Sequence, residues 1–168
     1  ALAPSAMAIL PVYKFPHPVL KQAARPVTRF DDDLRELAAA MLETMYAEGG
    51  IGLAANQVGQ LRRLLVMDLR AEDDEAGSAR PRTLRRREPR VLVNPRLLEA
   101  GGEVLTEEAC LSVVEFTAEI KRAQRIVVAY QTLDGQAREE PFEELAAVCL
   151  QHEMDHLAGK LFIDRLPP

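Results

Sequence analysis

Cysteine is scarce: only Cys110 and Cys149 occur in 168 residues. Two thiols are too few for a secreted disulfide scaffold, and a reducing compartment follows. Nowhere do 18 or more apolar residues run together, so no helical membrane span is expected. Positive charge is not in excess either. The formal net charge is −5, the wrong sign for a chain that grips nucleic acid, and no DNA partner is expected. No internal repeat is visible. No basic segment followed by an apolar stretch opens the chain, so no signal peptide is read and a cytoplasmic location is expected. The opening ALAPSA is small and featureless before Met7. It is read as an appended remnant, with one folded domain over 7–168.

What is present suits a globular domain with a core, with 48% hydrophobic and 28% charged residues. FPHPVLKQAARPV carries three prolines and reads as an irregular, extended lead-in. In DDDLRELAAAMLETMYAEGG, Leu34, Leu37, Met41 and Met45 fall at helical spacing and Leu42 widens the stripe. Asp31 to Asp33 cap its start, and Gly49 and Gly50 stop it. LRRLLVMDL (61–69) and VLVNP (91–95) read as strands. Between them, 70–90 is nearly all charged residues, Gly, Ser or Pro, and is expected as an exposed, mobile loop. IKRAQRIVVAYQTLDGQAREEPF reads as strands joined by a turn at Asp134-Gly135. PFEELAAVCLQHEMDHLAGK reads as a helix, with Pro141 at its first position, Glu143 and Glu144 in its first turn, and Gly159 as its stop. The expected class is α+β: mostly antiparallel sheets packed around a C-terminal metal-binding helix, with an N-terminal helix.

The chemistry concentrates in QHEMDHL (151–157). The chain has three histidines, and two of them, His152 and His156, stand four residues apart around Glu153. On a helix that spacing puts both imidazoles on one face. Together they can hold one metal ion, while Glu153 reaches a water on it. A catalytic site wants three protein ligands and an open position. The downstream remainder, LAGKLFIDRLPP, contains no His and no Glu, and the place of a third histidine in the extended motif is Phe162. Asp164 is a weak downstream candidate. The upstream candidates are His17, Cys149 and Cys110. Cys149 shares the helix face with the histidines, but 149, 152 and 156 span two turns. His17 sits in the proline-rich lead-in. Cys110 lies in EEACLSV.

GGIGLAANQVG, EEACLSV and QHEMDHL stand in one order along the chain. In this the sequence resembles the peptide deformylases, whose signatures are G-x-G-x-A-A-x-Q, E-G-C-L-S and Q-H-E-x-D-H. The resemblance extends over nearly the whole chain outside 70–90. It implies Cys110, His152 and His156 as ligands of one divalent metal, with water in the fourth position. Glu153 would act as general base and then acid. The Gln57 amide and the Leu111 N–H would hold the carbonyl oxygen. Gly50 and Gly52 would let the backbone approach the substrate, and Val148 and Cys149 would help line a pocket for methionine. A thiolate with two imidazoles suits zinc by softness. The family implies iron(II), with nickel, cobalt and zinc as alternatives. The implied reaction is hydrolysis of the N-formyl group from the initiator methionine of nascent chains, releasing formate.

Two residues depart from the family pattern. Ala109 replaces the glycine before Cys110, which would strain the backbone by roughly 1 kcal/mol or more if φ there were positive. Val114 stands where many members carry proline, so a different cleft rim is expected. The resemblance makes the ribosome a candidate partner, but the chain stops at RLPP where many bacterial members continue into a helix associated with ribosome docking, which counts against docking by that route.

Overall fold

The computed structural model describes residues 9–69 and 87–166. The leader ALAPSA and most of the charged segment expected as a mobile loop, 70–86, lie outside the described residues. In order come α1 (Asp32–Ala47), β1 (Gly52–Ala54), β2 (Leu64–Met67), β3 (Arg90–Gly101), β4 (Val104–Cys110), β5 (Val113–Arg122), β6 (Arg125–Gln131), β7 (Ala137–Glu143) and α2 (Glu144–Leu157). Five strands form one antiparallel sheet in the order β1-β2-β3-β6-β7, and β4 and β5 form a separate antiparallel pair. The α+β class therefore holds. No helix among the described residues is long and apolar enough to cross a membrane.

The helices sit on opposite faces of the large sheet, as β2 records. Alternate residues of a strand face opposite ways. Leu64 and Val66 pack with Leu34, Ala38, Met41 and Met45 of α1, while Leu65 and Met67 pack with Ala147, Cys149, Leu150 and Leu157 of α2. All four residues of β2 are buried, which explains its unbroken apolar run. Each fully buried leucine contributes about 1.5–3 kcal/mol. Asp31 caps α1 by accepting from the Leu34 N–H at 3.1 Å. Gly49 (φ 72°) ends that helix, and its left-handed backbone is the reason glycine stands there.

The lead-in is not wholly irregular, since Pro18–Lys21 forms a 3-10 turn. Its Val27 is pinned to β3 through both backbone groups, N–H to Asn94 Oδ1 at 2.7 Å and C=O from Asn94 Nδ2 at 2.9 Å. The turn at Asp134-Gly135 joins β6 to β7 as expected, with Gly135 at φ 83°. Pro141 departs from expectation. It belongs to β7, and the helix begins only at Glu144. Among the described residues β7 is the sheet's last strand, so its outer edge has no strand to which an N–H must donate, and proline is tolerated there.

Candidate metal centre and active site

Helix α2 presents His152 and His156 on one side, one turn apart, as their spacing requires. Cys110, the last residue of β4, reaches the same point from the small sheet. The donor atoms of these three residues lie within 4.8 Å of one another, and Cys110 Sγ is 3.2 Å from His156 Nε2. The other candidate ligands go elsewhere. His17 caps the 3-10 turn, its Nδ1 accepting from the Val19 N–H at 3.1 Å. Asp164 pairs with Lys21 at 2.8 Å. Cys149 lies buried on α2 with its Sγ 3.9 Å from the Ile51 carbonyl oxygen.

The donor set fits a metal. Burial pushes the His156 imidazole down to about 3, so it is neutral and its lone pair is available. His152 shifts the other way. Burial opposes its charge, but its contacts with Cys110 and Glu108 raise it. One thiolate and two imidazoles match a four-coordinate site with one open corner.

His152 Nδ1 meets Glu108 Oε1 at 2.8 Å, which leaves Nε2 free to ligate a metal. Arg122 grips Glu108 with a two-pronged contact, Nε to Oε2 and Nη2 to Oε1, both 2.7 Å. The third arginine nitrogen, Nη1, donates to Asp155 Oδ2 at 2.7 Å. Arg165 then holds Asp155 through Nε to Oδ2 at 2.6 Å and Nη2 to Oδ1 at 2.7 Å. Two carboxylates thus face two guanidiniums behind the ligand. Burial disfavours the Glu108 charge, but hydrogen bonds from Arg122 and His152 prevail and hold its carboxyl down at about 2. Nothing in the sequence singled out Arg122 or Arg165, and Glu108 and Asp155 had no role beyond their places in motifs. A buried arginine in an otherwise alternating strand is the only available signal, and it becomes one only once burial is known.

Glu153 occupies the opposite situation. It is 4% exposed, and its Oε1 has no hydrogen-bond partner among the described residues. Burial pushes its carboxyl up to about 7, against the opposing pull of His152. Gly52 makes room for it, since a Cβ there would lie 2.5 Å from Glu153 Oε2 and 2.9 Å from Cys149 Sγ. Any side chain at 52 would displace the carboxylate. Gly50 likewise lies under Leu111, whose Cδ1 would be 2.9 Å from an added Cβ.

Gln57 is fixed in orientation. Its Oε1 accepts from the Ala54 N–H at 2.9 Å, which assigns Nε2 to the donors. That nitrogen points to Ser112 Oγ at 3.1 Å and to Cys110 Sγ at 3.7 Å. The lead-in ties the segments bearing Gln57 and Leu111 together. Tyr13 N–H donates to the Gln57 carbonyl and Phe15 N–H to the Ser112 carbonyl, both at 2.7 Å, and Lys14 Nζ donates to the Leu111 carbonyl at 2.8 Å.

The site opens on a cavity of about 420 Å³. Its walls include Gly50, Gly52, Gln57, Cys110, Leu111, His152 and Glu153, together with the apolar Leu145 and Val148 and with Cys149. Ala109 also lines it, and is not among the non-glycine residues with positive φ, so the strain considered for that position is absent. Val114 is exposed on β5, outside the cavity wall.

Comparison with known proteins places this arrangement. A sequence model of polypeptide deformylases matches residues 9–168. A peptide deformylase of Phenylobacterium zucineum is 48% identical over 161 residues, covering 95% of this chain and 89% of that protein. One from Novosphingobium aromaticivorans is 47% identical, covering 95% and 90%. Among solved structures, the peptide deformylase of Thermotoga maritima superposes with a TM-score of 0.83 at 40% identity, covering 96% of this chain and 99% of that one. A class I type b peptide deformylase from Acinetobacter baumannii, solved with Met-Ala-Ser bound, gives 0.82 at 35% identity, covering 95% and 99%. The chain belongs to the polypeptide deformylase family, metal-dependent hydrolases that remove the N-formyl group from nascent peptides.

Proposed function

We propose that Cys110, His152 and His156 hold one divalent ion and that Glu153 carries the proton in hydrolysis of the N-formyl group from formylmethionyl chains in the cytoplasm. The observation that carries this reading is the meeting of three ligand atoms with a buried carboxylate that lines the same cavity and has one oxygen without a partner among the described residues. Iron(II) is the physiological metal we infer, from the likeness of the three motifs, and nickel, cobalt and zinc fit the same donors. A bound ion would lower the pKa of a water molecule and polarise the formyl carbonyl.

The remaining steps belong to the chain's own residues. Glu153 accepts a proton from the attacking water and returns it to the α-nitrogen as the C–N bond of the formamide breaks. Its raised pKa suits a group that must both take and give a proton near neutrality. The Gln57 Nε2 and the Leu111 N–H donate to the developing oxyanion. Gln57 arrives with its amide already turned, so little ordering cost remains for the transition state. Gly52 lets the substrate and the Glu153 carboxylate share one narrow space. Leu145, Val148 and Cys149 offer methionine an apolar wall, and a relative has been solved with a methionine-containing peptide, Met-Ala-Ser, bound. The products are formate and a free α-amine.

The test uses formyl-Met-Ala-Ser, acetyl-Met-Ala-Ser and Met-Ala-Ser with nickel-loaded protein. Formate release from the first and no cleavage of the other two is expected. Cleavage of the peptide bonds in Met-Ala-Ser would instead make the chain a peptidase.

A further inference from the structure

Arg165 lies in the 3-10 turn Phe162–Arg165, beyond the last ligand, and is not part of the cavity wall. We propose that Arg165 is a positioning residue for the metal, acting at a distance through Asp155, Arg122 and Glu108 on the ligand His152. The inference rests on the reading of Cys110, His152 and His156 as the metal ligands.

The path is continuous. Each link from Arg165 to His152 is a hydrogen bond of 2.8 Å or shorter. Arg122 is 1% exposed and Glu108 6%, so both are held away from bulk water and depend on each other's contacts. Asp155 is the shared element. It stands directly before His156 on α2 and takes one hydrogen bond from Arg122 and two from Arg165. Its charge is therefore held largely by Arg165. Without that fork, Asp155 keeps a single partner, Arg122, for which Glu108 also competes. Two carboxylates then share one guanidinium. Arg122 is drawn toward Asp155, the grip on Glu108 loosens, and His152 loses its fixed orientation. Outer partners of a metal-binding histidine typically change affinity or activity 10- to 100-fold. Arg165 is further out, and its side chain is 45% exposed, which sets its effect at the low end of that range.

The same turn has a second anchor, which supplies the control. Lys21 Nζ contacts both oxygens of Asp164 at 2.8 Å and docks the turn without touching the relay.

The experiment loads wild type, Arg165→Leu, Arg165→Lys and Lys21→Met with cobalt(II). Excess chelator is added, and decay of the thiolate-to-cobalt absorption is followed, a readout independent of turnover. Arg165→Leu should release cobalt about tenfold faster than wild type. Arg165→Lys keeps the charge but not the fork, so it should fall between the two. Lys21→Met should stay close to wild type. Release from Arg165→Leu and Arg165→Lys at the wild-type rate would overturn the proposal. So would equal acceleration by Lys21→Met, which would assign the effect to docking of the turn. A wild type that shows no thiolate band at all would overturn the metal-site reading itself, and this inference with it.

Discussion

Glu108 and Glu153 are the same side chain, both nearly buried, on either side of one histidine, and the protein treats them oppositely. Glu108 accepts from Arg122 twice and pairs with His152, and its carboxyl sits at about 2. Glu153 has an oxygen with no partner among the described residues, and its carboxyl sits at about 7. The difference lies in partners rather than in depth. Burial raises both, and only one has enough donors to reverse it. A saturated carboxylate is a fixture, suited to orienting a ligand. A starved one is poised to exchange a proton. The site needs one of each, and the fold supplies the first from the small sheet and the second from α2.

The comparison breaks most sharply at Glu153. Glu153→Gln should lower kcat by about 10²–10⁴ with the metal retained, because proton transfer is lost and coordination is not. Metal stoichiometry measured beside formate release checks both halves. Gln57→Leu should cost about 10²–10³ in kcat with little change in metal content, as expected for one oxyanion donor. At Glu108 the pattern inverts. Glu108→Gln should weaken metal affinity about 10- to 100-fold, read by chelator competition.

The smallest effect sharpens the contrast through stability. The Glu153 pKa in the fold lies above that of the unfolded chain. Its contribution is present below about 4.5 and is lost as pH rises through about 7. Metal-free Glu153→Gln should therefore be more stable than wild type above pH 7, by roughly 1–3 kcal/mol, and lose that advantage near pH 4.5. Glu108 runs in reverse, since its depressed pKa gives stability present above about 4.5 and lost as pH falls toward about 2. Urea melts of wild type, Glu153→Gln and Glu108→Gln across about pH 2–8 read both slopes.

Much of this was legible in the sequence. The stripe Leu34, Met41 and Met45, the cap Asp31, and the stops Gly49 and Gly159 follow local rules, and α1 and α2 obey them. The spacing of His152, Glu153 and His156 is itself local, so the helix carries it intact. The β4–β5 pair was read only in part. Its strands expose Leu105, Val114 and Phe116 and bury Glu108 and Arg122, so hydrophobic alternation gives a mixed signal there. Pro141 was misplaced because a proline just before two glutamates is a good helix start in isolation, and the edge position of β7 is a tertiary fact. The relay from His152 to Arg165 joins β4, β5, α2 and the final 3-10 turn. No local period connects those residues, and only the fold makes them neighbours.

The most direct measurement is formate release from formyl-Met-Ala-Ser by wild type and Glu153→Gln, each carrying one nickel ion by metal analysis. Rapid release by wild type and loss of at least about a hundredfold in the variant is the predicted result. Release by the metallated variant at the wild-type rate would contradict it, and would take the proton-carrying role away from Glu153.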